Sequence, residues 1–117
     1  AVSLAEKAEA SLKQGEFKAA AYFMEAAINS APDKGRYHLL LARALSGIRG
    51  RGREAESNYQ KAIELEPAQI EYYLELARYY KKNGMKNLSR RQFEAALEWD
   101  PENGEIQAEI AGLEEQT

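Results

Sequence analysis

Three prolines divide the sequence into segments of almost equal length. Pro32, Pro67 and Pro101 are separated by 67 − 32 = 35 and 101 − 67 = 34 residues, and each follows an apolar pattern typical of an α-helix. Equal spacing of this size indicates a helical-repeat protein, in which each repeat packs against its neighbours. The sequence therefore predicts an all-α fold built from three repeats.

The same kinds of side chain recur before each proline. An alanine stands five residues before every proline, a large side chain three residues before that alanine, and a small residue four residues earlier again. Small residues let two helices approach closely, and large residues fill the remaining space, so we expect these positions to form the core. They are Ala20, Met24 and Ala27, then Ala55, Tyr59 and Ala62, then Ser89, Phe93 and Ala96.

Each repeat divides into two helices at a turn that contains a glycine, at Gly15, Gly50 or Gly84. Beyond Pro101, apolar residues at spacings of four and three predict a seventh helix, which would cover the apolar end of the array. We expect Trp99 to anchor this helix. The predicted boundaries are residues 1–34, 35–69 and 70–103 for the repeats and 104–115 for the capping helix.

These recurring residues resemble the tetratricopeptide repeat (TPR) family over nearly the whole chain. The family's small residue in the first helix is matched by Ala8, Ala42 and Ala77, and its glycine turn, closing alanine and proline are matched in all three repeats. Ser89 in place of an alanine and one extra residue in the second turn depart from the pattern.

The resemblance implies a right-handed superhelix, an α-α solenoid of three helix-turn-helix repeats plus a C-terminal capping helix, forming one domain over residues 1–117. In this family the first helices line a concave groove that commonly holds peptide segments of partner proteins. The groove residues expected here are Glu9, Arg36, Leu39, Arg43, Glu71, Leu74 and Arg78.

Two arginines of this predicted groove stand one repeat apart. Arg43 and Arg78 differ by 78 − 43 = 35 residues, so we expect them to be neighbours at about the 10 Å spacing of packed helices. Two such guanidinium groups could bind carboxylates of a ligand. The equally weighted alternative is that Glu9, Glu71 and Glu75 neutralise them within the groove.

One TPR subfamily holds the acidic C-terminal tails of chaperones in a carboxylate clamp of lysine, asparagine and arginine. The matching positions here carry Ala5, Glu9, Leu40, Glu71 and Glu75. Acidic side chains in place of basic ones would repel such a tail. The partner is therefore predicted not to be a chaperone tail of this kind.

Arginine alternates with glycine in the second turn, at Arg49, Arg51 and Arg53. Short arginine-glycine segments can contact nucleic acid or phosphate, but the net charge of −3 indicates no broad nucleic-acid surface. We favour a solvated turn, then contact with an acidic protein partner, and nucleic acid last.

Catalysis, metal binding and a cofactor are not predicted, because the chain has no cysteine and a single histidine. This histidine, His38, is interpreted as a partly buried or surface residue, with a groove contact as the less favoured alternative. No apolar run approaches the roughly 20 residues that span a bilayer. We expect a cytoplasmic monomer, although a periplasmic location also fits. Since the sequence begins with Ala1 rather than methionine, we interpret it as a fragment of a larger protein.

The leading functional hypothesis is a non-catalytic interaction scaffold that binds a peptide segment of a partner. The alternative is a structural or assembly module that docks other domains or repeats of its parent chain. A weak resemblance over residues 36–103 to repeat segments attached to a J-domain would make that parent a chaperone-associated multidomain protein. Weak nucleic-acid contact through the arginine-glycine turn stands third.

Overall fold

The computed structural model describes residues 2–115, which form seven α-helices and no strand. The predicted all-α helical-repeat fold is confirmed. The helices are α1 (Leu4–Lys13), α2 (Phe17–Ser30), α3 (Gly35–Ser46), α4 (Gly52–Leu65), α5 (Ile70–Lys82), α6 (Lys86–Trp99) and α7 (Gly104–Glu114). They fall into two compact units, the first ending at Pro67 and the second beginning at Ala68.

The first unit contains α1 to α4, and its core is centred on α3. This helix packs against α1, α2 and α4, so its apolar side chains are buried on several sides. The alanines predicted from the repeat pattern are also buried, as are the large side chains between them. The core positions of this unit include Ala20, Met24, Ala27, Leu39, Leu40, Leu45, Ala55, Tyr59 and Ala62.

The glycine turns have the backbone that the repeat requires. Gly15, Gly50 and Gly84 have φ angles of 75°, 85° and 75°. A residue with a Cβ pays about 1–2 kcal/mol in this left-handed region, so glycine ends the first helix of each pair at least cost. The turn can then be short, and consecutive helices pack side by side.

The buried His38 of the first unit has hydrogen-bond partners at both ring nitrogens. The Nε2 atom of His38 lies 2.9 Å from the carbonyl oxygen of Pro32. On the other side of the ring, Nδ1 lies 3.1 Å from the side-chain oxygen Oδ1 of Asn58. The Asn58 amide also donates to the carbonyl of Glu54, at 2.9 Å. His38 is therefore held in a packed network, as a structural residue is.

The second unit contains α5, α6 and α7. Tyr72, Tyr73 and Tyr80 of α5 are buried, and Phe93 of α6 is fully buried. Ser89, which replaces the usual alanine, is also fully buried, and its hydroxyl donates to the carbonyl of Ala77 at 2.7 Å. The departure from the repeat pattern is thus accommodated by one hydrogen bond between α5 and α6.

The seventh helix packs against α6. Ile106 and Leu113 are its buried side chains, and the Asn103 side chain caps its start by accepting from the amide of Ile106 at 3.1 Å. The prediction that Trp99 anchors this helix is wrong. Trp99, at the last position of α6, is 52% exposed, whereas Ile106 and Leu113 are the buried side chains of α7.

None of the helices formed by residues 4–114 combines the length and the apolar character that crossing a membrane requires.

Candidate functional site

Three of the predicted groove residues line one pocket of the first unit. Glu9 of α1 and Arg36 and Arg43 of α3 surround a pocket of about 460 Å³, which we call the groove pocket. Its volume falls within the range of about 300–1,000 Å³ that is usual for ligand pockets. Three further residues of this lining were not predicted: Leu12, Lys13 and Phe17.

The groove pocket is basic at its rim and apolar at its wall. Its lining holds three cations, Lys13, Arg36 and Arg43, and one carboxylate, Glu9, for a formal charge of 3 − 1 = +2. Arg36 Nη2 lies 3.5 Å from Glu9 Oε1, and these two side chains are 47% and 45% exposed. An exposed pair at this distance is weak, so both groups remain able to reorient toward a ligand.

The prediction that Leu39 lines the groove is wrong, because Leu39 is fully buried. Because α3 packs against three other helices, residues 38–42, which lie between Arg36 and Arg43, are buried. Leu40, the residue at the matching clamp position, is also fully buried and has no access to a ligand.

The predicted groove residues of the second unit lie on α5. Leu74 is half-buried, and Arg78 and Glu71 are exposed. Leu74 and Arg78 border a pocket of about 30 Å³ together with Glu105 and Glu109 of α7. A cavity of this size holds about one water molecule. That Arg43 and Arg78 are neighbours in the groove stays a prediction.

A second pocket of the first unit was not predicted at all. It measures about 390 Å³ and lies at the two turns, where Phe17 and Ala19 of α2 meet Gly47, Ile48 and Arg49. Its remaining lining is Gly15, Glu16 and Lys18. We call it the turn pocket. Phe17 lines both pockets and so stands between them.

The three arginines of the second turn have different surroundings. Arg49 lines the turn pocket, whereas Arg53 lies on α4, which begins at Gly52. Arg51 donates from Nε and Nη2 to both carboxylate oxygens of Glu54, with Nη2 to Oε2 at 2.7 Å. This hydrogen bonding raises the pKa of Arg51 and lowers the pKa of Glu54. Arg51 is therefore already engaged within the protein.

No group of three histidine, aspartate or glutamate side chains within residues 2–115 is arranged to hold a metal ion.

The pocket-lining residues that were not predicted lie next to the interhelical turns, where apolar side chains are usually packing residues. Leu12, Lys13 and Phe17 flank the predicted turn at Gly15, and Ile48 belongs to the turn that carries an extra residue. From the sequence alone, none of these positions differs from a residue that flanks a turn without lining a pocket. Only the folded chain brings Phe17 to Gly47, which lie 47 − 17 = 30 residues apart.

The tetratricopeptide repeat family model matches residues 70–103, the segment that contains α5 and α6. No curated protein sequence matches this chain.

Solved structures share the fold over nearly the whole chain. The TPR domain of Arabidopsis OM64 is 20% identical, with a TM-score of 0.80 over 97% of this chain and 93% of that one. The second TPR domain of human RPAP3, solved in complex with the HSP70 peptide SGPTIEEVD, is 20% identical, with a TM-score of 0.81 over 97% and 94% of the two chains. The Yersinia enterocolitica type III secretion chaperone SycD, solved with a peptide of the translocator YopD, is 14% identical, with a TM-score of 0.81 over 95% and 89%.

Proposed function

We propose that this chain, in which residues 70–103 match the tetratricopeptide repeat model, is a non-catalytic interaction module that binds a peptide segment of a partner protein in the groove pocket. The observation that carries the proposal is the convergence of Glu9, Arg36 and Arg43 from two first helices on one pocket. A preformed pocket on packed helices binds with little ordering cost, which suits capture of a flexible segment.

The chemistry of the lining favours a particular kind of segment. Lys13, Arg36 and Arg43 supply donors for carboxylates, and Leu12 and Phe17 supply apolar contact. A segment with acidic and apolar residues in alternation would satisfy both. The peptide complexes of RPAP3 and SycD, whose chains share this fold, support this kind of function.

The proposal is tested by selecting a random 12-residue peptide library on the wild-type chain and measuring the affinity of the enriched peptides. We expect Arg36→Glu combined with Arg43→Glu to weaken these peptides by at least about tenfold, because two donors become repulsive carboxylates. Arg78→Glu, made separately, measures whether the second unit contributes to the same binding.

The matched control is Arg53→Glu combined with Lys61→Glu, which makes the same change of charge at two exposed positions of α4 outside the groove pocket. This variant should bind the peptides as the wild type does. If the groove variant binds equally well while both variants keep their helicity, the groove pocket is not the binding site.

A second candidate function, assembly with another part of the parent chain, is favoured by exposed apolar side chains on α6. Leu88 and Trp99 are 36% and 52% exposed and stand eleven residues apart, which is about three helical turns and therefore the same face. If this face is covered in the parent protein, the fluorescence of Trp99, the only tryptophan, should shift to shorter wavelength there relative to residues 1–117 alone. An unchanged emission maximum would rule this candidate out.

A further inference from the structure

The turn pocket has the features of a binding site and has no role in the proposed groove contact. Phe17, Ala19 and Ile48 form an apolar wall around about 390 Å³, which is again within the range of about 300–1,000 Å³ usual for ligand pockets. Ile48 and Phe17 are half-buried rather than covered, so an incoming apolar side chain could contact both.

Cations border this apolar wall. Lys18 and Arg49 line the pocket and are exposed, and within residues 2–115 neither has a carboxylate within salt-bridge distance. Glu16 is the one acidic residue of the lining, so the formal charge is 2 − 1 = +1. The occupant that complements this lining is an apolar side chain with a carboxylate beside it.

The two pockets of the first unit adjoin at one aromatic ring. Phe17 contributes to both linings, and its ring lies against the backbone of Gly47. An extended chain advances about 3.3–3.6 Å per residue, so side chains a few residues apart can lie on the two sides of one ring. A single partner segment could therefore occupy both pockets.

We propose that the turn pocket is a second anchor site, which takes an apolar side chain flanked by an acidic residue of the same peptide segment that occupies the groove pocket. This inference rests on the proposed function and adds a site to it. The second turn, which is one residue longer than the others, supplies Ile48 and Arg49 to this pocket.

The test uses the peptides enriched from the random library on the wild-type chain. Peptides that use both pockets should share two apolar positions, each next to a glutamate or aspartate. Ile48→Ser removes an apolar contact, and Lys18→Glu with Arg49→Glu reverses the rim charge. We expect each of these two variants to weaken binding by about tenfold.

The matched control is Arg53→Glu, close in sequence but outside the lining, which should change binding by less than about twofold. Because Ile48→Ser could alter the turn itself, the rim variant, which changes only exposed side chains, gives an independent measurement. A direct readout is the Ile48 methyl signal in ¹³C NMR, which should shift when peptide is added.

The outcomes separate the two proposals. If the groove variant loses the peptides while Ile48→Ser and the rim variant bind like the wild type and the Ile48 methyl stays unmoved, the groove function stands and the second anchor site is refuted. If no peptide is enriched on the wild-type chain, the proposed function fails and the anchor site fails with it.

Discussion

The ring of Phe17 packs directly on the backbone of Gly47. A Cβ added at Gly47 would lie 2.5 Å from the ring atoms Cγ and Cδ1, closer than side-chain carbons approach in proteins. The φ angle of Gly47 is −91°, which any residue can adopt, so glycine is needed here for space alone.

We therefore expect Gly47→Ala to destabilise the first unit by about 1–3 kcal/mol, because the ring or the turn must move. Thermal unfolding followed by circular dichroism measures the effect. The control is Gly112→Ala, inside α7, where an added Cβ meets nothing within 4 Å. That change should stabilise the chain by about 0.5–1 kcal/mol, and equal effects of both substitutions would contradict the packing argument.

Ser89→Ala should cost about 0.5–1.5 kcal/mol of unfolding free energy, because it removes the hydrogen bond to the carbonyl of Ala77 from a fully buried position. Denaturant unfolding measures this difference. Ser57→Ala, at an exposed position of α4, is the control and should cause no loss. A Ser89→Ala chain as stable as the wild type would mean that the hydroxyl contributes nothing.

Arg51→Ala should raise the pKa of Glu54 toward its ordinary value, because the hydrogen bonds from Arg51 hold that pKa down. A pKa lowered by folding means that the pair stabilises the folded chain above the unfolded pKa of the glutamate. This contribution is lost as the pH falls through the folded pKa. The loss should be small because both groups are exposed.

The measurement is an NMR titration of the Glu54 carboxyl carbon in the wild type and in Arg51→Ala. Arg53→Ala serves as the control, since Arg53 is the sequence neighbour of Glu54 but forms no ion pair with it within the described part of the chain. A Glu54 titration curve that is the same in all three proteins would show that the hydrogen bonds do not persist in solution.

Ending the chain after Asn103 should cause self-association, because α7 covers an apolar side of α6 with Ile106 and Leu113. Sedimentation velocity detects the larger species. Ile106→Ser with Leu113→Ser should have a similar effect, whereas Glu105→Ala with Glu114→Ala changes only exposed residues and should not. A truncated chain that sediments as the wild type does would show that α7 is not a cap.

The repeat pattern was sufficient to predict the helices and most of the core, for a physical reason. A residue such as Ala27 or Ala62 is buried by contacts within its own helix pair, and these contacts recur whenever the spacing recurs. The capping helix could be predicted from helical spacing in the same way, since Ile106 and Leu113 stand seven residues apart on one helical face.

Leu39 and Trp99 were predicted wrongly because their exposure depends on particular neighbours. The run of leucines in α3 is apolar on several sides, and helical spacing does not say which side a third helix covers. Trp99 occupies the last position of α6, and its place in the repeat pattern does not say how much of its ring other residues cover.

The pockets depend even more on contacts that are distant in the sequence. Arg36 and Arg43 were assigned to a groove from their positions in the repeat, and they do share a pocket with Glu9. The turn pocket required Phe17 to meet the second turn, and no periodic pattern encodes that contact because the second turn alone has the extra residue.

His38 joins the two helix pairs of the first unit. Its ring contacts the carbonyl of Pro32, which closes the first pair, and Asn58, which belongs to the second pair. In helical-repeat proteins the stability of each pair is coupled to the next through the interface they share. A buried hydrogen-bonded bridge across that interface makes the two pairs cooperative, so they should exchange their amide hydrogens with solvent as one unit rather than separately.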